Sequence, residues 1–175
     1  MLTGKNFIGN KLSALGNVTF QTFNPELNKN NNQIFYEASD DEILESVNLA
    51  KIAFERYKKT TPKERSNFLN SIADEILAVS DNLLEVYCSE TGLPAGRSRG
   101  ELKRTIGQLR SFADLALDGS WVEASIDTAI PDREPIPKPD LRKMLIPLGP
   151  IVVFGASNFP LAYSTAGGDT ASALA

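Results

Sequence analysis

The closing stretch of the chain, residues 140–175, constrains the fold more than any other segment. It reads DLRKMLIPLGPIVVFGASNFPLAYSTAGGDTASALA. The apolar run at residues 151–154 predicts a buried strand, a polar loop follows at residues 155–160, and the small residues after it predict a helix. In α/β proteins this order places polar groups at the carboxyl edge of a parallel sheet, where ligands bind. The helix has no stop signal and no strand follows it, so we expect this chain to be the front of a larger protein.

Composition narrows the class of protein. A length of 175 residues fits one domain with a possible appendage, and 22 acidic against 18 basic residues argue against nucleic-acid binding. Cys88 is the single cysteine, which excludes an internal disulfide and favours a reducing compartment. The first residues lack a signal peptide, and no apolar run is long enough to span a membrane. We therefore predict a cytoplasmic protein. With no histidine in the sequence, no metal site is predicted.

Short β structure followed by helices is predicted for the first two thirds of the chain. Residues 7–37 combine β-forming segments with Asn-rich turns. Ser39 with Glu42, and Thr61 with Glu64, have the spacing of capping boxes, so each pair predicts a helix start.

Two further helices are predicted after these. One runs from Ser80 to the turn at residues 91–94, and the next from about Gly96 to Leu117. The predicted buried face of the second helix comprises Phe68, Leu69, Ile72, Ile76 and Leu77, and that of the fourth comprises Leu102, Ile106, Leu109, Ala113 and Ala116.

A projecting β arm is predicted next. Residues 121–128 and 141–146 read as strands, and the proline-rich residues 131–139 between them cannot form a helix or a central strand. Because exposed strand edges are commonly covered by another chain, we expect residues 121–146 to mediate self-association.

Asn158 is the first candidate for chemistry. A side-chain amide at the end of a strand can donate to a developing oxyanion, whereas an asparagine that caps the next helix is the commoner role in such a turn. The preceding residues Phe154, Gly155, Ala156 and Ser157 leave the backbone open to a flat or phosphorylated ligand, or form a crowded turn that needs small residues.

Two side chains of the fourth helix are the next candidates. Arg104 and Gln108 lie four residues apart on one helix face, and the arginine could hold a substrate carboxylate. The alternatives are a solvated face or an ion pair with Glu101. Cys88 has no basic neighbour in sequence, so a buried structural thiol is the favoured interpretation.

The segment PLGPIVVFGASNFP resembles the corresponding segment of the aldehyde dehydrogenase superfamily, in which a glycine-containing turn and strand precede a P-W-N-F-P loop. Earlier segments fit as well: Phe23-Asn24-Pro25 resembles an N-P element, and Glu90-Thr91-Gly92-Leu93-Pro94 an E-T-G-x-P turn. The form F-G-A-S-N-F-P, followed by A-G-G-D-T-A-S-A-L-A, is similar to enzymes that act on 2-oxoglutarate semialdehyde.

The resemblance implies an α/β fold in three parts. Residues 1–119 would be the N-terminal part of a cofactor-binding domain, residues 120–147 the β arm of an oligomerisation domain, and residues 148–175 the first strand, oxyanion loop and helix of a Rossmann-like sheet. The β arm would join copies of the chain into a homo-oligomer.

The resemblance also implies roles for the candidate residues. Asn158 would be the oxyanion donor, Phe154, Gly155, Ala156 and Ser157 would lie along an NADP or NAD cofactor, and Phe159 with Arg104 and Gln108 would contact a small aldehyde. Ser157 replaces the usual tryptophan.

The implied reaction is oxidation of the aldehyde to a carboxylic acid. The family's nucleophilic cysteine, general-base glutamate and glycine-rich cofactor turn match nothing in these residues, so we expect the 175-residue chain alone to be inactive. A non-catalytic self-associating fragment and a relative of the acyl-CoA or acyl-phosphate reductases are the alternatives.

Overall fold

The computed structural model describes residues 2–175, which form three separate two-stranded antiparallel sheets and five α-helices. No helix in this part of the chain is long and apolar enough to cross a bilayer. In chain order the elements are β1 Asn6–Ile8, β2 Lys11–Ser13, β3 Thr19–Asn24, β4 Lys29–Tyr36, α1 Asp40–Tyr57, α2 Pro62–Ala78, α3 Ser80–Thr91, α4 Ala95–Asp118, β5 Ser125–Asp127, β6 Leu141–Lys143 and α5 Gly168–Leu174.

The two predicted capping boxes are present. The Ser39 and Thr61 side chains accept hydrogen bonds from the backbone amides of Glu42 and Glu64, and each glutamate carboxylate accepts one from the backbone amide of its cap residue. These reciprocal bonds satisfy amides that a helix start otherwise leaves without partners. The third helix ends at Gly92, whose left-handed conformation (φ 66°) suits glycine.

Helix α4 forms the centre of the core. All five residues of its predicted stripe are buried, and they pack against α2, α3 and α5. On α2, Leu69 is buried as predicted, but Phe68 and Leu77 are largely exposed. The helical spacing identified the correct side of α2 but predicted too wide a buried face. Only the strip around Leu69 and Ala73 is fully covered by α4.

The predicted arm is a hairpin with shorter strands than expected. β5 pairs with β6 in antiparallel register, and Leu145 adds a backbone bond to Val122. Trp121 lies in a 3₁₀ turn, Ser120–Val122, rather than in a strand. Every residue of both strands is exposed, because no third strand or helix of residues 2–175 covers the hairpin.

The predicted buried strand at residues 151–154 is not formed. These residues have no regular secondary structure in the part of the chain described, and Val152 and Phe154 are 75% and 85% exposed. A parallel strand needs neighbours that pair with its backbone and helices that cover its faces, and residues 2–175 supply only α5 beside it. The helix predicted directly after the loop is also shorter, since residues 157–167 form turns and α5 begins at Gly168.

Glu42 joins the N-terminal β structure to α1. Its buried carboxylate accepts backbone hydrogen bonds from Leu15 at 3.2 Å and from Ser39 at 2.8 Å. Hydrogen bonds from the Ser13 hydroxyl and the Ser39 backbone, reinforced by those from Leu15 and the Ser39 hydroxyl, outweigh burial and lower the pKa of Glu42 to about 2.

This lowered pKa predicts an acid-sensitive contribution to stability. Because the folded-state pKa lies below the ordinary value of 4.5, the contribution is complete above pH 4.5 and is lost as the pH falls towards about 2. Glu42→Gln should lower the free energy of unfolding at pH 7 and make it fall less steeply between pH 5 and pH 3. Urea denaturation at several pH values measures this, with Glu45→Gln at an exposed position of α1 as the control. Parallel pH profiles for the wild type and Glu42→Gln would contradict the assignment.

Candidate functional site

One face of α4 carries four polar side chains that meet the loop containing Asn158. Arg97, Glu101, Arg104 and Gln108 recur every three or four residues, which places them in a row along the helix. All four contact residues of the segment 158–168. The opposite side of the same helix is the apolar stripe of the core.

Glu101 is the most connected of these residues and is only 4% exposed. Its Oε1 accepts hydrogen bonds from the Tyr87 hydroxyl at 2.7 Å and from Arg97 Nε at 3.0 Å. Its Oε2 accepts from the backbone amides of Leu161 at 3.1 Å and Ala162 at 3.4 Å. One carboxylate therefore joins α3, α4 and the loop.

The ionisation of this cluster follows from the same contacts. Burial opposes the charge on Glu101, but the hydrogen bonds from Tyr87, the Leu161 amide, Arg97 and the Ala162 amide prevail, so the pKa of Glu101 lies below its usual value. Burial, followed by the hydrogen bond to Glu101, raises the pKa of Tyr87 to about 12. Near neutral pH the tyrosine is a donor and the glutamate a charged acceptor.

Arg97 continues the network to Asn158. Its Nη2 donates to the backbone carbonyl of Asn158 at 3.1 Å, and its guanidinium lies 4.9 Å from the centre of the Phe159 ring. The Asn158 residue itself is exposed, and within residues 2–175 its side-chain amide makes no hydrogen bond. The backbone of Asn158 is thus fixed while its side chain is free to meet a ligand.

Arg104 contacts two aromatic rings of the loop, those of Phe159 and Tyr163. Its Nη2 donates to the Tyr163 hydroxyl at 2.6 Å, and its guanidinium lies 5.4 Å from the Phe159 ring and 5.0 Å from the Tyr163 ring. The two rings meet edge to face at 5.8 Å. No carboxylate in the described part of the chain forms an ion pair with Arg104, so its charge is available to an anionic group.

Gln108 packs against the start of α5. A Cβ at Gly168 would lie 2.6 Å from Gln108 Nε2, and a Cβ at Gly167 would lie 2.5 Å from the Ala162 carbonyl oxygen. The Gln108 Oε1 atom is buried without a hydrogen-bond partner among residues 2–175. The Gln108 side chain therefore packs against the end of the loop, and its one acceptor atom, Oε1, remains unused by the described residues.

The four residues predicted along the cofactor are all exposed. Phe154, Gly155, Ala156 and Ser157 precede Asn158, and the Ala156 amide donates to the Tyr163 carbonyl at 2.9 Å, which closes the loop. An open cleft of about 380 Å³ separates residues 151–154 from Asp169, Ser172 and Ala173 of α5. Small residues and an open cleft give a flat ligand access to the backbone, although they supply no phosphate-binding turn.

Cys88 is separate from this site. It is half-buried on α3, with Sγ 3.7 Å from Ser98 Oγ, and lies beside the smaller cleft between α3 and α4. Cys88 is therefore less buried than predicted, and Arg99 lines the same cleft, so its structural role stays a prediction.

The structure thus brings Arg104, Gln108, Asn158 and Phe159 to one region, while the roles that the resemblance implies for them stay predictions. Sequence reasoning missed the central role of Glu101, which it considered only as an ion-pair partner, and it did not single out Arg97 or Tyr163. The four-residue spacing of Arg97 and Glu101 was the one local signal of this pair.

Comparisons with known proteins identify relatives over nearly the whole chain. An alpha-ketoglutaric semialdehyde dehydrogenase 2 of Azospirillum brasilense is 47% identical over 99% of this chain and 33% of its own length. An alpha-ketoglutaric semialdehyde dehydrogenase of Acinetobacter baylyi is 45% identical over 98% of the chain and 33% of its length. The chain thus spans about a third of these relatives.

Solved structures support the fold. The crystal structure of HpcC from Thermus thermophilus matches 99% of this chain and 32% of its own, with a TM-score of 0.79 at 23% identity. A NAD-dependent benzaldehyde dehydrogenase from Corynebacterium glutamicum matches 74% of this chain and 28% of its own, with a TM-score of 0.65 at 17% identity. The sequence model of the aldehyde dehydrogenase family matches residues 13–175. The chain therefore belongs to the aldehyde dehydrogenase family.

Proposed function

We propose that this chain supplies the oxyanion loop and part of the substrate pocket of an NAD(P)-dependent dehydrogenase that oxidises 2-oxoglutarate semialdehyde to 2-oxoglutarate. The observation that carries the proposal is the anchoring of the Asn158 loop on α4, which fixes the Asn158 backbone and leaves its amide free. The two relatives at 47% and 45% identity carry the name of this activity.

The role proposed for Asn158 is to stabilise negative charge on the aldehyde oxygen. When a nucleophile adds to the carbonyl carbon, the oxygen becomes an oxyanion, and a fixed NH₂ donor stabilises that charge without reorganising. Arg97 and Glu101 provide the fixation, since they hold the carbonyl of Asn158 and the amides of Leu161 and Ala162.

The cofactor proposed is NADP or NAD, which accepts a hydride when it is bound. Phe154, Gly155, Ala156 and Ser157 are proposed to lie along it, because Phe154 lines the cleft beside α5 and the three residues that follow it in sequence are exposed. The backbone of the small residues Gly155, Ala156 and Ser157 is accessible to a planar ring. No described residue of this chain is assigned to the phosphates.

Arg104 is proposed to recognise the carboxylate of the substrate. Its guanidinium contacts both Phe159 and Tyr163 and has no carboxylate partner in the described residues. It lies one turn of α4 from Gln108. Charge-assisted pairing of arginine with a carboxylate is strong and directional. Gln108 and Phe159 are proposed to complete this side of the pocket.

Self-association is proposed for the β arm, within residues 121–146. Ile126 and Leu141 on its strands and Ile136 on its connector are exposed, and a second copy could cover them. This surface equally suits the alternative of a non-catalytic assembly fragment.

A cytoplasmic location is proposed from the single cysteine. An acyl-CoA or acyl-phosphate reductase remains the alternative chemistry.

A chimaera tests the proposed function. Residues 1–175 would replace the matching third of the Azospirillum brasilense relative, which aligns with 99% of this chain, and would be joined to its remaining two thirds. We expect the chimaera to form NAD(P)H with 2-oxoglutarate semialdehyde, and the 175-residue chain alone to form none, because its sole cysteine lies on α3 away from Asn158. A folded chimaera that is inactive while the intact relative is active would refute the proposal. Reduction of an acyl-CoA in its place would favour the reductase.

The oxyanion role predicts the effect of Asn158→Ala in the chimaera. Loss of one donor to the oxyanion should lower kcat by roughly 10²-fold, with the melting temperature unchanged, because the Asn158 side chain is exposed and supports no contact of the fold. Single-turnover measurements ensure that the chemical step is observed. Thr165→Ala, at an exposed position of the same loop, is the control. An unchanged chemical rate for Asn158→Ala would remove Asn158 from this role.

The carboxylate-binding role predicts a selective effect of Arg104→Ala. KM for 2-oxoglutarate semialdehyde should rise roughly 10- to 100-fold, the equivalent of a charged hydrogen bond, while KM for a neutral aldehyde of similar length should change much less. Arg110→Ala on the same helix is the matched control, because Arg110 pairs instead with Asp74 of α2. Equal increases for both aldehydes would show that Arg104 does not read the carboxylate.

A further inference from the structure

We propose that Glu101 is the positioning residue of the Asn158 loop, holding the backbone that presents the Asn158 amide. The inference rests on the role proposed above for Asn158. It concerns a residue that would touch neither substrate nor cofactor and would act only through the loop it binds.

The two oxygens of the carboxylate hold different parts of the site. Oε2 binds the loop directly through the amides of Leu161 and Ala162. Oε1 binds Arg97, whose second nitrogen reaches the Asn158 carbonyl. The loop is therefore fixed on both sides of Phe159 and Pro160, and Pro160 has no N–H of its own to contribute. Rotation of the Asn158 backbone would break a bond on at least one side.

The position requires a carboxylate rather than an amide. Four donors face Glu101, and an ionised carboxylate has enough lone pairs for all of them. In Glu101→Gln the new NH₂ group must face either Arg97 Nε or the Leu161 and Ala162 amides. Whichever orientation the amide takes, either the Arg97 Nε–H or the two buried loop amides lose their acceptor. The Tyr87 hydroxyl can rotate to accept, but these N–H groups cannot.

The first test measures the loop directly in the 175-residue chain and does not depend on activity. Amide hydrogen exchange by NMR should be at least about tenfold faster at Leu161 and Ala162 in Glu101→Met, because a methionine side chain of similar length offers these amides no oxygen acceptor. Leu69 in the core of α2 should keep its protection. Asp74→Met, which removes an exposed carboxylate paired with Arg110, is the matched control. Unchanged protection at both loop amides, or equal loss at Leu69, would overturn the proposal.

The second test measures catalysis in the chimaera. Glu101→Gln should lower kcat roughly 10- to 100-fold with little change in KM for the aldehyde, because the donor is displaced while the carboxylate contact through Arg104 remains. Glu101→Asp, which keeps the charge and both carboxylate oxygens on a side chain one methylene shorter, should retain part of the rate. Asp74→Asn should match the wild type. A kcat of Glu101→Gln equal to that of Asp74→Asn would contradict the positioning role.

Arg97→Lys tests the network at a position where substitution should not disturb the core, since the Arg97 side chain is 41% exposed. Lysine keeps the positive charge but lacks the planar fork of nitrogens through which arginine binds Glu101 and the Asn158 carbonyl in a fixed geometry. We expect a fall in kcat without a fall in melting temperature, and a wild-type kcat would count against the network.

Should the wild-type chimaera be inactive, the proposed function fails, while the exchange result still decides whether Glu101 holds the loop.

Discussion

The arrangement of the site depends on one buried charge. Glu101 loses its hydration inside the protein, and this cost is offset only because four hydrogen-bond donors from α3, α4 and the loop surround it. A buried carboxylate with this many partners restricts the geometry more than an apolar contact could, because hydrogen bonds fix direction as well as distance. Each element that reaches Glu101 is thereby placed relative to the others.

Helix α4 can serve this purpose because its two faces differ in chemistry. The apolar stripe is buried against α2 and α3, which fixes the rotation of the helix about its own axis. That rotation aims the polar row, from Arg97 to Gln108, at the loop. The core and the site therefore depend on each other: packing orients the polar row, and the polar row orders a loop that has no regular secondary structure beyond turns.

Local sequence signals predicted the features that depend on local contacts. The capping boxes at Ser39 and Thr61 and the stripe of α4 follow from spacings of three or four residues, and all are present. Features that depend on distant partners were not predictable in the same way. Glu101 looks like a surface charge because its loop partners lie 60 and 61 residues further along the chain. Residues 151–154 have the pattern of a buried strand, but pattern alone does not supply neighbouring strands. Asn158 lies in a loop, as expected, but neither the absence of the strand before it nor the anchoring of the loop on α4 was predicted.

The short helix α5 has a consequence for the order in which such a protein assembles. It packs on α2 and α4, and its Leu174 carbonyl accepts a hydrogen bond from the Tyr57 hydroxyl of α1 at 2.6 Å. Its attachment is thus to helices alone, and the loop before it is closed without help from any strand. In a larger enzyme of this family, synthesised from its N-terminus, the loop could reach its final shape while the following strands are still being translated. Those later strands would then form beside a loop that already has its geometry.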